Sequence, residues 1–134
     1  MGFAVPAAIG SCLAEPDRRV IAFTGDGGLM MCAGELATAV QHGCKPVVVV
    51  FNDSALTLIG AKQERRQLPG NGVDFSPTSF AQVATGYGCT AFRVERPEDL
   101  DPAFEAAFAA DRAAVIDVVV NPRAYHRQLV ALRG

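Results

Sequence analysis

The sequence of 134 residues predicts an α/β fold, a parallel doubly wound sheet with helices on both faces. Three observations predict it. Two wholly apolar runs, residues 20–23 and 46–51, lack the alternation of a half-exposed strand and read as strands buried on both faces. Helix-like segments separate the strand-like ones along the chain. Polar residues also gather where the strands should end, Asp26 after the first and Asn52 and Asp53 after the second. Two parallel strands joined by the intervening helix bring such ends to one edge of the sheet, where open α/β sheets hold their ligands.

Taken in order, residues 6–14 read as a short helix rich in small residues, with Pro6 tolerated in its first turn and Glu15-Pro16 ending it. After the strand at 20–23, residues 33–42 form a helix with Leu36, Ala37 and Val40 as its apolar stripe and Gly43 closing it. The valine run at 46–51 is the clearest strand. Residues 54–64 form a helix carrying Leu56, Ile59 and Ala61, and the charged residues at 62–66 are its solvated end. Residues 68–77, with two prolines, Pro69 and Pro77, and two glycines, Gly70 and Gly72, form the longest irregular stretch and should be less ordered than the strands around them. Ser79 is the N-cap of a helix over 80–85, and Gly86-Tyr-Gly88 breaks it. A third strand at 90–94, an Ala-rich helix at 97–110 with acids in its first turn, and a fourth strand at 114–120 complete a single domain over residues 1–134.

A hydrophobic content of 50% is enough for a packed core, and the net charge of −2, from 12 basic and 14 acidic residues mixed along the chain, leaves no basic face for nucleic acid. The apolar opening lacks a basic leader and contains Pro6, which argues against a secretory or membrane role. Cys12, Cys32, Cys44 and Cys89 are widely spaced, so buried free thiols in a reducing cytoplasm are expected rather than a zinc site or disulfides. His42 and His126 lie in helical, partly polar contexts as surface histidines, and Glu35 ties its helix to its surroundings.

The polar sheet edge is where chemistry is expected. Gly25, Gly27 and Gly28 allow unusual backbone dihedrals and let N–H groups approach an anion. The helix that follows adds partial positive charge. Asp26 and Asp53 are hard oxygen ligands suited to Mg²⁺ or Ca²⁺. Together they suggest a site for a metal-bridged diphosphate. A dinucleotide fingerprint fits worse, because its third glycine would fall on Met30.

Gly25-Asp26-Gly27, then 24 residues (28–51), then Asn52-Asp53 resembles the cofactor motif of the thiamin-diphosphate-dependent decarboxylase and acetolactate synthase superfamily. The flanks at 1–10, 20–28, 35–38 and 115–122 are similar as well, and the resemblance is to the carboxy-terminal, diphosphate-binding domain. It implies Asp26 and Asp53 as side-chain ligands of Mg²⁺ and the Ala55 carbonyl as a backbone ligand. It also implies Gly25, Gly27, Gly28 and Leu29 along the diphosphate of thiamin diphosphate, Leu56 beside the cofactor, and Met1 wedged beneath it so that its two rings form a V. No catalytic residue is implied in this chain, since the activating glutamate of the family lies on a separate pyrimidine-binding domain. The resemblance covers only the last part of a typical member, so the chain is expected to be an amino-terminally truncated fragment or one subunit of a larger, homo-oligomeric enzyme acting on a small 2-keto acid. The alternative is a non-catalytic remnant or assembly domain that keeps the fold.

Overall fold

A computed structural model describes residues 1–122 and 125. The elements are α1 (Ala4–Ala14), β1 (Ile21–Gly25), α2 (Asp26–Met30), α3 (Glu35–Gln41), β2 (Val47–Asn52), α4 (Thr57–Arg65), α5 (Phe80–Gly86), β3 (Thr90–Val94), α6 (Leu100–Ala109) and β4 (Ala114–Val119). A 3₁₀ turn, Pro97–Asp99, leads into α6. The four strands form one parallel sheet in the order β1-β2-β4-β3, with Ile21 opposite Val47, Val47 opposite Ala114 and Thr90 opposite Ala114. The expected α/β fold is therefore the observed one.

Helices cover both faces. On one, α1, α3 and α5 bury Val5, Ile9, Leu36, Ala39, Phe80 and Ala84 against Ala22, Val48, Val50 and Val115. On the other, Ala103 and Ala107 of α6 pack on Val47, Val49, Val94, Ala114 and Ile116. The side chains of Val47 to Val50 thus alternate between the two cores, which is why the run carries no polar residue. Each such valine contributes about 1.5–3 kcal/mol through burial.

Local signals set the ends of several elements. Ser79 accepts from the Gln82 N–H at 3.3 Å as the N-cap of α5, and Gly43, at φ +64°, closes α3 in the left-handed conformation that glycine adopts without strain. The acids expected at the start of the last helix are Glu98 and Asp99 in the 3₁₀ turn and Asp101 in α6.

Four expectations need correction. Residues 20–23 were expected to be buried on both faces, but β1 is an edge strand and α6 does not reach over it. Ile21 and Phe23 are exposed, and Phe23 stacks on Phe51 with ring centroids 6.2 Å apart. In α3 the inward residues are Leu36, Ala39 and Val40, with Ala37 turned to solvent. The helix after β1 begins at once with α2, inside the glycine motif, where a turn was expected. The helix expected from residue 54 begins at Thr57, and none of its residues is buried, so α4 lies lightly on the surface.

The irregular stretch 68–77 is tied down at one end: Leu56 N–H donates to the Val73 carbonyl at 2.7 Å, and Phe75 N–H to the Ser54 carbonyl at 2.8 Å. Cys12, Cys44 and Cys89 are buried, Cys32 is half-buried, and all four are free, as expected. His42 is exposed, and His126 lies outside the described residues. No helix of the described residues is long and apolar enough to cross a membrane.

Candidate functional site at the carboxyl edge of the sheet

Parallel pairing of β1 with β2 aligns Gly25 with Phe51, so Asp26 and Asp53 follow their strands at the same edge. Between them opens a cavity of about 540 Å³ whose lining includes Met1, the backbone of residues 25–28, Asp53, Ala55 and Leu56. Eight of the nine residues expected to hold a cofactor therefore meet in one place. The ninth, Leu29, does not line the cavity; its side chain is wholly buried in the core beneath α1 and α3, because α2 turns that position inward.

Of the two purposes expected of the glycines, close approach of the backbone and unusual dihedrals, the second is not what the structure shows. Gly25 has φ −87°, and neither Gly27 nor Gly28 has a positive φ, so unusual dihedrals do not explain them. Space does. A Cβ on Gly27 would lie 2.6 Å from Leu56 Cδ2 and 3.2 Å from Met1 Cε, and a Cβ on Gly28 would lie 2.5 Å from Thr24 Oγ1. The motif keeps the cavity floor as bare backbone, and amides in the first turn of a helix lack intrahelical partners.

Asp26 is 4% exposed; its Oδ1 accepts from Gly27 N–H at 2.6 Å and its Oδ2 from Asp53 N–H at 3.2 Å. Desolvation raises its pKa above the ordinary carboxylate value, the backbone donors only partly offset that, and the neighbouring Asp53 raises it further. Asp53 is held in turn, its Oδ1 accepting from Ala55 N–H at 3.1 Å and its Oδ2 from the Thr57 hydroxyl at 2.7 Å. Ser54, between them, is at φ +60°, an uncommon conformation for a residue with a side chain that shapes this tight turn.

Asn52 and Asp53 are adjacent in sequence but part company in space, because successive side chains at a strand end point to opposite sides. Asp53 faces the cavity. The Asn52 amide instead donates to the Thr78 carbonyl and to Asp117 Oδ1, both at 2.9 Å. Asp117, wholly buried in β4, also accepts at Oδ2 from Phe80 N–H at 2.9 Å, Ala81 N–H at 3.4 Å and Arg93 Nη1 at 2.9 Å. One carboxylate thus ties β2, β3, β4 and the start of α5 together directly behind the Asp53 loop.

The chemistry of the lining decides which ligands suit it. Among the described residues it holds two carboxylates and no Lys, Arg or His. A bare anion would meet like charge, whereas an anion bridged by a divalent cation would meet oxygen ligands on the cation and backbone on its own oxygens. Among the described residues no group of three or more His, Cys, Asp or Glu gathers as a metal site, here or elsewhere, so a cation at this edge would rest on two carboxylates and backbone oxygens. Asp26, Asp53 and the carbonyl of Ala55 are oxygen donors of the kind Mg²⁺ takes, and all three residues line this cavity.

Sequence reasoning missed Thr24, Thr57 and Tyr125, which also line the cavity. Thr57 was within reach, since a hydroxyl four residues after Asp53 at a helix start is placed to support it. No local signal points to Tyr125.

Residues 1–118 match the family model described as "Thiamine pyrophosphate enzyme, C-terminal TPP binding domain". The catabolic acetolactate synthase of Raoultella terrigena is 33% identical over 123 residues, which are 92% of this chain and 22% of that protein. The glyoxylate carboligase of Escherichia coli O157:H7 is 35% identical over 137 residues, 90% of this chain and 22% of its own length. Among solved structures, the thiamine diphosphate-dependent 4-hydroxybenzoylformate decarboxylase of Rhodococcus jostii RHA1 matches with a TM-score of 0.84 and 33% identity over 90% of this chain and 23% of its own. The chain spans about a fifth of the length of the relatives it matches.

Proposed function

Because the chain belongs to the thiamine pyrophosphate enzymes, as their C-terminal TPP-binding domain, we propose that it is the Mg²⁺-diphosphate-binding half of a 2-keto acid decarboxylase or an acetolactate synthase-like carboligase. One observation carries this: Asp26 and Asp53 lie at one rim of a cavity whose floor at Gly27 and Gly28 is bare backbone, where an added Cβ would crowd the side chains of Leu56, Met1 and Thr24. Asp26, Asp53 and the Ala55 carbonyl hold the cation. Thr57 and the Ala55 N–H fix the Asp53 carboxylate, so little is lost in ordering it when the metal binds. Met1 and Leu56 reach over Gly27 and supply an apolar wall for the body of the cofactor. Bound there, thiamin diphosphate would supply the carbon nucleophile for attack on a 2-keto acid.

Among the described residues no Glu, His or Lys lines the cavity to move a proton at the far end of the cofactor. We assign that step to a glutamate on a pyrimidine-binding domain, of the same enzyme or of a partner subunit in a homo-oligomer. A reducing compartment such as the cytoplasm suits the four free cysteines. The same lack of an acid–base group in the lining is what a non-catalytic remnant or assembly domain would also present.

Titration calorimetry with thiamin diphosphate tests the binding reading. Heat of binding is expected with Mg²⁺, and its loss is expected with a chelator or in Asp26→Ala, where the bridge is gone. Equal affinity with and without chelator would remove the metal bridge.

A further inference from the structure

The cavity receives one side chain from the far end of the chain. Tyr125, well past the end of β4, lines it together with Thr24, Asp26, Gly27, Asp53 and Thr57. In the sheet β4 is separated from β1 by β2, so Tyr125 reaches the motif after β1 from two strands away. It is half-buried there. A phenol is a neutral donor at neutral pH, since its ordinary pKa is about 10.

Among the described residues no Lys, Arg or His lines the cavity, so the donors they offer to phosphate oxygens are backbone N–H groups and hydroxyls. Three side chains of the lining carry a hydroxyl. That of Thr57 donates to Asp53 Oδ2 at 2.7 Å, and that of Thr24 to the Gly25 carbonyl at 3.2 Å, so both serve the protein's own acceptors. The third is Tyr125.

Resting on the cofactor reading above, we propose that Tyr125 is a cofactor-contacting residue whose phenol donates its O–H to a phosphate oxygen of the metal-bound diphosphate, across the cavity from Gly27 and Gly28. A hydroxyl donating to an anionic oxygen forms a short, charge-assisted bond. The residue pairs an apolar ring with one polar atom, in a lining that also includes Leu56 and Leu58.

Two measurements test the proposal, both independent of turnover. The first is calorimetric titration of inorganic pyrophosphate, and then thiamin diphosphate, in the presence of Mg²⁺, into the unsubstituted protein, Tyr125→Phe and Asp26→Ala. Tyr125→Phe should bind about tenfold more weakly, the usual size of a lost bond to a charged group, while keeping its Mg²⁺ requirement. The second uses tyrosine emission, since the sequence has two tyrosines and no tryptophan. In a Tyr87→Phe background Tyr125 is the sole emitter, and its emission should change on saturation with Mg²⁺ and pyrophosphate, which does not absorb in the tyrosine band. Unchanged affinity in Tyr125→Phe, tighter binding there, or unchanged emission at saturation overturns the proposal. If Asp26→Ala nevertheless loses binding, the Tyr125 assignment falls alone. If the unsubstituted protein binds neither ligand, or Asp26→Ala binds as well as it does, the cofactor reading falls with it.

Discussion

Replacing Asp117 with alanine should damage this fold more than any surface change, and the cost can be worked from its contacts. The carboxylate is wholly buried and accepts from the Asn52 amide, Phe80 N–H and Arg93, each at 2.9 Å, with Ala81 N–H more distant at 3.4 Å. A bond to a charged acceptor contributes about 1.5–3 kcal/mol, but these bonds share one group and do not add. Arg93, 37% exposed and already bonded to Glu95, can turn to water. Phe80 N–H cannot; a buried donor left unsatisfied costs about 1–3 kcal/mol, and the other lost bonds to the carboxylate bring the total to about 3–5 kcal/mol. We take that range for Asp117→Ala. For a chain of this size about 1 kcal/mol moves the melting temperature by about 3–5 °C, so a fall of about 10–20 °C is expected in scanning calorimetry. Arg93→Met leaves Asp117 its other donors and should cost about 1–2 kcal/mol. If Asp117→Ala loses less than about 1 kcal/mol, or Arg93→Met loses as much as Asp117→Ala, the carboxylate is not the tie described above. Because Asn52 is anchored by Asp117, the same variant should also weaken Mg²⁺-dependent ligand binding at Asp53.

Gly28→Ala should destabilise the protein by about 1–3 kcal/mol through overpacking against Thr24 Oγ1, and Thr24→Ala in the same chain should restore most of the loss; denaturant midpoints that simply add would contradict that contact. Burial pushes the Cys89 thiol from 9.0 up to about 11. Its folded pKa exceeds its unfolded one, so its contribution to stability is intact below about pH 9 and is lost as pH rises toward 11. Urea titrations across that window should fall less steeply in Cys89→Ala, and parallel slopes would count against the burial argument. The 134-residue chain on its own should release no CO₂ from 2-keto acids even with Mg²⁺ and thiamin diphosphate in excess, because general acid–base help of the kind assigned above to a pyrimidine-binding domain is worth about a hundred- to ten-thousandfold. Steady CO₂ release that disappears in Asp26→Ala would reveal a catalytic group in this chain.

Short-range physics made much of this protein legible from its sequence. The apolar run of β2, the Ser79 cap, the left-handed Gly43 and the acids leading into α6 each depend on a few neighbouring residues, and each stands where local energetics place it. The pairing of Asp26 with Asp53 was legible too, since parallel strands joined through a helix must end at one edge. Tertiary packing decided the rest. An apolar strand such as β1 is covered only where a helix reaches it, and α6 stops short of Ile21 and Phe23. Gly27 and Gly28 are explained by Leu56 and Thr24, neither of them an adjacent residue, rather than by their own dihedrals. Leu29 went to the core and Asn52 to Asp117 because side-chain direction follows the element that carries a residue, and pattern alone misjudged where α2 begins. Tyr125 enters the site from a remote part of the chain, and no local periodicity encodes such an arrival, because the energy that favours it exists only once the sheet has brought β1 and β4 to either side of β2.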